Sequence, residues 1–368
     1  MMLGIVAGQK QIGFVTRWTV AGDATARTIT LPLVNTRTEG ALAYNFTVNW
    51  GDGSALSTVT TYNSANAVHT YASNGTYNVE IKGTCEGWSF NNAGDKLKIV
   101  AVVNWGTVGG HNGWKYLRGG FYGCTNLTSL GVGSILASGT GILTDGFSQT
   151  FNGCTSLTSI PVDLFRYNTA VSTYGFSQTF YGCTSLTSIP VDLFRYNTAV
   201  STSGFSQTFY GCTKLQVLSN TFYEPGEEAT LFLNRVSDFT SAFSRTSFSG
   251  TQGVAPNLWT CDFGETITLS LAPASDWVGG DTITGQTSGA TAVVVAKVSA
   301  LVYKIKQHFG TFSLGEIVGV TGTPTKLALQ GGANPTFAGT PVSTSCFAGA
   351  GNSIASLSNY ASIPASWK

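Results

Sequence analysis

The sequence predicts a mainly β chain of several modules, with a stacked solenoid of rungs about 29 residues long at its centre. Three observations carry this expectation. Residues 147–175, beginning FSQTFNGCTSLTSIP, return almost unchanged as residues 176–204, and the two copies differ only at Asn152/Tyr181 and Tyr174/Ser203. Short runs that alternate apolar and polar residues fill both flanks, which is the two-residue period of a half-buried strand. Hydrophobic residues reach 42% within turn-rich stretches carrying 45 glycines, a pattern of many short strands rather than of disorder.

The repeat is the best-defined element. Cys124, Cys154, Cys183 and Cys212 mark it at spacings of 30, 29 and 29 residues, with a weaker copy starting at Phe121 and a decaying one at Phe205. A fixed period of this size means units that bury their apolar faces only by stacking on one another. Leu157/Leu186/Leu215 and Ile160/Ile189/Leu218 alternate with Thr and Ser, predicting a short strand that Pro161 and Pro190 end. Phe147 and Phe151, and their copies, lie four residues apart, so F-S-Q-T-F is expected as one inward-facing helical turn. Leu164/Leu193/Phe222 and Phe165/Phe194/Tyr223 fill the other side. Equivalent cysteines on stacked rungs point in parallel, which is poor disulfide geometry, so a ladder of small buried thiols is expected. No C-x-x-C pair with a nearby His supports zinc.

Residues 1–83 hold the strand-like runs FVTRWTV, RTITLPLV, AYNFTVNW and YNVEIKG. Trp50-Gly51-Asp52-Gly53-Ser54 forms a tight turn after a strand, and His69-Thr-Tyr71 precedes Gly75-Thr-Tyr77-Asn-Val79. These two motifs resemble the PKD-type module, which implies an Ig-like β-sandwich over 1–83 used as a spacer or interaction domain. Asp52 and His69 can be read as a catalytic or metal pair, or as a turn-capping Asp with a His that hydrogen-bonds the loop; the second reading is expected. Residues 84–118 are a connector and cap, in which Lys96–Val103 reads as a strand closing the first rung and His111 stands among glycines beside Trp114.

The unit FxxTFxGCTSLTSIPxxLF resembles the leucine-rich repeat of BspA-like surface proteins, over about residues 119–263. That resemblance implies a leucine-rich-repeat solenoid of a class that binds proteins or glycans at cell or virion surfaces. The closing segment 343–368 again carries Cys-Phe, Leu, Tyr and Ile-Pro, and is expected to be a terminal rung closed by Trp367. Residues 264–342 then form an inserted small β-domain, with strands starting after Gly264-Glu265, Gly280-Asp281 and Gly315-Glu316. Those three carboxylates suit strand-start turns better than a Ca²⁺ cluster. The stretch GDTITGQTSGATAVV…GTFSLGEIVGVTG resembles a β-module that recurs in bacteriophage structural proteins.

Composition narrows the function. Charged residues are only 10% and the formal net charge is +1, and no basic stripe points to nucleic acid. No run of about 18 apolar residues would cross a membrane, and MMLGIVAGQKQIGF lacks the basic and apolar regions of a signal peptide. His69, His111 and His308 sit in separate regions, and no nucleophile elbow, phosphate loop or HExxH occurs, so no enzyme, cofactor or metal is expected. The candidate binding face is the outward ladder Asp163, Arg166, Tyr167, Asp192, Arg195 and Tyr196, where i,i+3 spacing also lets each Arg meet its own Asp. The expectation is a structural and binding protein on a bacteriophage virion surface, as a capsid decoration or tail-fibre-type appendage. Its partners would be other virion proteins, host-surface glycans or proteins, and copies of itself in a homo-oligomer. The alternative is a bacterial cell-surface adhesin acting through its leucine-rich repeats, for which the chain shows no sorting signal or lipobox.

Overall fold

In a computed structural model of the chain, the described residues are 11–37, 40–136, 141–190, 193–215, 238–244, 265–269, 272–309 and 317–320. Short pieces at 258, 327–328, 336–338, 346, 362–364 and 367–368 complete them. The fold is mainly β, with a short 3-10 turn at Ala65–Ala67. Among them no helix is long and apolar enough to cross a membrane.

Nine strands build the N-terminal region: β1 (Phe14–Val20), β2 (Thr28–Thr30), β3 (Thr36–Arg37), β4 (Gly40–Ala41), β5 (Tyr44–Asn49), β6 (Ser57–Val59), β7 (Val68–Thr70), β8 (Gly75–Cys85) and β9 (Ile99–Asn104). Five of them form an antiparallel sheet in the order β6-β5-β8-β1-β9, while β2 pairs with β7 and β3 with β4. Alternation sets the faces: Phe14, Thr16, Trp18 and Val20 of β1, and Tyr44, Phe46 and Val48 of β5, all turn inward. The chain leaves β5 through Gly51 at φ +82°, where a Cβ would stand 2.3 Å from the Asn78 carbonyl oxygen, so only glycine fits.

Strand β9 begins at Ile99, three residues inside the expected strand, and it does more than close a rung. One edge pairs with β1. The other meets the first copy of the repeat, where Val102 N–H donates to Ser129 O (3.0 Å) and Thr128 N–H to Val100 O (2.9 Å). The segment 84–118 is therefore a packed seam. Trp88, Trp105 and Trp114 are wholly buried in it, and one hydrophobic core runs from Phe14 through the repeats to Trp367.

The copies of the repeat lie one above another. Phe121, Phe151, Phe180, Phe209 and Phe243 form one column of stacked rings, 5.3 to 5.5 Å between centroids. Phe147, Phe176, Phe205 and Phe239 form a second at 5.4 to 5.9 Å. Backbone bonding alternates along each coil. The N–H groups of Phe147, Gln149, Phe151 and Gly153 donate to Gly175, Ser177, Thr179 and Tyr181 of the next coil at 2.8 to 3.0 Å. The intervening N–H groups of Ser148, Thr150, Asn152 and Cys154 close turns onto carbonyls three residues back.

F-S-Q-T-F is thus not the expected helical turn. Gln149, Gln178 and Gln207 stand at φ +55 to +58°, and the glycines at 153, 182 and 211 at φ +67 to +71°, so left-handed residues recur every four positions and break any helix. Both phenylalanines of each copy still face inward. The expected strand at Leu157–Ile160 reduces to isolated contacts such as Thr187 N–H to Thr158 O (3.1 Å). The following proline offers no N–H to extend that pairing.

The motif's Thr and Cys now have a physical reason. A carbonyl oxygen has two lone pairs, and Phe147 O spends one on Thr150 N–H of its own coil. The other accepts from the Thr179 hydroxyl of the next coil at 2.9 Å. Phe151 O divides itself in the same way between Cys154 N–H and the Cys183 thiol, 3.2 Å away. Cys154 and Cys212 repeat the contact to Phe121 and Phe180 at 3.2 Å. The four cysteines are free and buried, the expected thiol ladder. Gln149, Gln178 and Gln207 add a chain of amide bonds of 2.8 and 2.6 Å along the stack.

A separate seven-stranded sheet occupies residues 266–338, in the order β15-β14-β11-β12-β13-β10-β16. Its strands are β10 (Thr266–Thr268), β11 (Thr282–Gly285), β12 (Thr291–Lys297), β13 (Val302–Phe309), β14 (Val318–Val320), β15 (Leu327–Ala328) and β16 (Thr336–Ala338). Ile267, Trp277, Ile283, Val294, Tyr303 and Ile305 belong to its own core, distinct from the long one. Beyond it the chain meets the stack again: Phe243 N–H donates to Cys346 O (2.8 Å), and the Trp367 ring lies 5.9 Å from that of Phe239.

Candidate binding face

The outward ladder sits on the segment after Pro161, where Leu164 and Phe165 turn into the core and the next two residues turn out. Asp163 takes a left-handed conformation at φ +61°, and its carbonyl accepts the Arg166 N–H at 3.0 Å. That turn brings its carboxylate to 3.1 Å from Arg166 Nη1, the i,i+3 pair the spacing allows. The guanidinium also lies over the Tyr196 ring of the next coil, 5.0 Å from its centroid, a cation–π contact. The Asp163 hydrogen bond raises the Arg166 pKa further, so its charge is permanent. Tyr167 is exposed beside it, Arg195 repeats the Arg166 position in the next coil, and Asp192 lies outside the described residues.

Chemically this face offers paired charges, phenol rings and hydroxyls for hydrogen bonding. Among the described residues it assembles no acid and base around a cleft. A second outward pair, Arg118 with Asp145 at 3.3 Å, joins the first copy to the second. Those residues fall outside the near-identical copies, so no ladder announced them.

The Asp52 and His69 pair does come together. His69 Nε2 and Asp52 Oδ2 are 2.7 Å apart, and Asp52 Oδ1 accepts the Ser54 N–H at 3.0 Å. The His69 ring stacks on Trp50 at 4.8 Å and meets the edge of Tyr71. Burial opposes the Asp52 charge, but hydrogen bonds from Ser54 and His69 outweigh it and hold the carboxyl at about 2. Asp52 thus both caps the turn and holds the His. In the seven-stranded sheet, Asp281 caps its turn by accepting Val278 N–H at 2.8 Å. Glu265 is buried, and Glu316 and the side chain of His308 lie outside the described residues. Among the described residues, no three His, Cys, Asp or Glu side chains gather to hold one cation.

His111, which the sequence places among glycines beside Trp114, is buried. Its Nδ1 accepts the Gly113 N–H at 3.0 Å, and its ring packs 4.5 Å from Trp114. No protein-family model, no curated protein and no solved structure matches the chain.

Proposed function

We propose that the chain is a structural and binding protein displayed on a bacteriophage virion, as a capsid decoration or tail-appendage component. In this reading the N-terminal sheet belongs to a PKD-like β-sandwich, the stacked copies are a leucine-rich-repeat solenoid, and the second sheet is an inserted β-domain. The observation that supports it most is the shared strand β9. Through it the N-terminal region and the coils become one body with one core, as suits a protein that bears a load. The inserted sheet, with a core of its own, and the Arg166/Tyr167 face are the surfaces offered to partners, which would be neighbouring virion subunits and host-surface glycans or proteins.

Quantitative mass spectrometry of gradient-purified particles, set against host envelope from the same culture, tests this. Stoichiometric enrichment in particles is expected, and copy number relative to the major capsid protein separates decoration from tail. Presence in the envelope with absence from particles would overturn the reading in favour of a cell-surface adhesin.

A further inference from the structure

Three Asn-Gly pairs occur in the chain: Asn74-Gly75, Asn112-Gly113 and Asn152-Gly153. Asn-Gly is the dipeptide in which a backbone nitrogen can attack the preceding side-chain amide, because glycine puts no Cβ in the way. The three differ in what holds them. Gly153 N–H is committed to Tyr181 O in the stack at 2.8 Å. Asn74 keeps its side-chain oxygen on Gly22 N–H at 3.0 Å, and Gly75 lies opposite Val20 in the β1–β8 ladder. Gly113 N–H instead points at an imidazole nitrogen, His111 Nδ1, 3.0 Å away.

The other end of the same amide is also attended. Asn112 Nδ2 donates to Thr84 Oγ1 at 2.8 Å, so the nitrogen that must leave lies beside a hydroxyl that can rotate to give it a proton once the amide nitrogen regains its lone pair. Asn112 itself is exposed, so water reaches it. We propose that Asn112-Gly113 is a self-modification site, in which His111 acts as base and Thr84 as acid to convert Asn112 into aspartate or isoaspartate.

The step balances without an outside reagent other than water. Gly113 N passes its proton to His111 Nδ1, and the freed electron pair forms a bond to Asn112 Cγ, closing a succinimide. The Cγ–Nδ2 bond breaks, and ammonia leaves with the Thr84 hydroxyl proton. His111 returns its proton to the Thr84 oxygen through water admitted at the exposed Asn112 side, and water opens the ring. Burial lowers the His111 pKa to about 4, against a weaker opposing pull from the nearby Cys85 carbonyl, so the imidazole is uncharged at neutral pH with its Nδ1 lone pair open to the Gly113 proton, as a weaker base than a solvated imidazole. The product matters for the seam, since Asn112 N–H holds Gly83 O and Gly83 N–H holds Gly110 O, both at 3.0 Å. An isoaspartate adds one backbone carbon at that point.

Peptide mapping of the whole protein aged at neutral pH would follow the one-dalton gain at each of the three asparagines, folded and in urea. Positioned acid–base groups accelerate proton transfer by about a hundredfold or more, so Asn112 should convert at least ~10-fold faster folded than unfolded. Asn152 should do the reverse. His111→Gln, which offers an oxygen of negligible basicity, should lower the folded rate at Asn112 and leave Asn74 unchanged. Thr84→Val should slow Asn112 with His111 still in place. A folded rate at or below the urea rate would overturn the proposal, whatever the variants do. So would a folded variant, checked by circular dichroism, with an unaltered Asn112 rate.

Discussion

Phe180→Ala probes what sets the distance between coils. The ring is wholly buried between Phe151 at 5.3 Å and Phe209 at 5.4 Å, nearly parallel to both. Truncating a buried Phe costs about 3–5 kcal/mol, and the cost rises when the surroundings cannot close over the cavity. Here they are held open. Phe151 N–H to Thr179 O (2.8 Å) and Phe180 N–H to Thr208 O (2.9 Å) fix the coils on either side of the missing ring. We therefore expect a loss of about 4–5 kcal/mol, a large share of the 5–15 kcal/mol that an ordinary domain has. Tyr181→Ala is the control, since its ring stacks on Tyr210 at 4.8 Å but is only half-buried, and it should lose about 1 kcal/mol. Urea titration by circular dichroism, with hydrogen exchange at the Phe151 and Gly153 amides, reads both losses. A double-mutant cycle of Phe180 with Phe209 should give a coupling of about 0.5–1.5 kcal/mol. A Phe180→Ala loss under about 2 kcal/mol, or no coupling, would mean that the coils close over the gap and that hydrogen bonds do not set their spacing.

Other outcomes follow from the same geometry. Asp52 has a folded pKa of about 2, below the unfolded value of about 3.9, so its contribution is full above that value and lost as pH falls toward 2. The urea midpoint should therefore drop between pH 6 and pH 3 by more in the natural protein than in Asp52→Asn; equal drops would refute the assignment. Burial pushes the Cys154 and Cys183 thiols well up and Cys212 to about 12, so none should react with a disulfide reagent at pH 8 until the protein unfolds. Rapid native labelling of the peptides that carry them would contradict the ladder. Deleting residues 176–204 removes one whole coil and joins Gly175 to Phe205, so circular dichroism should retain a cooperative melt. Deleting only 176–197 destroys the register and should not, and similar melts for the two would argue against stacking.

Much of this fold could be read from residue spacing. The 29-residue offset of Phe, Thr and Cys placed equivalent side chains in columns, and the apolar alternation of FVTRWTV marked β1 to the residue. Trp50-Gly51-Asp52-Gly53 announced its own turn. What stayed hidden depended on backbone conformation or on distant partners. Four-residue spacing between Phe147 and Phe151 looks the same whether the chain winds as a helix or steps through left-handed Gln149. Nothing near Ile99–Asn104 tells that this strand has a neighbour on each edge. On the candidate face, i,i+3 spacing foretold Asp163 with Arg166, but the Tyr196 ring beneath the guanidinium comes from the following coil, 30 residues away. The base at Gly113 N–H needed a tautomer and an angle that no motif records.

The inter-coil hydrogen bonds have an electrical consequence. From Phe147 to Gly153 every second N–H points to the following coil, and the carbonyl that accepts it points back. The next coil repeats the pattern from Phe176 to Gly182, and the one after it from Phe205 to Gly211. In a parallel sheet successive peptides face opposite ways and largely cancel. Here the cross-coil peptides add, each bringing about 3.5 D, as they do along a helix. The stack is therefore an electret, negative at the tryptophan seam and positive toward the coil of Phe239 and Phe243. Its two ends are chemically unlike even though the copies between them are nearly the same, and a charged partner would know one end from the other.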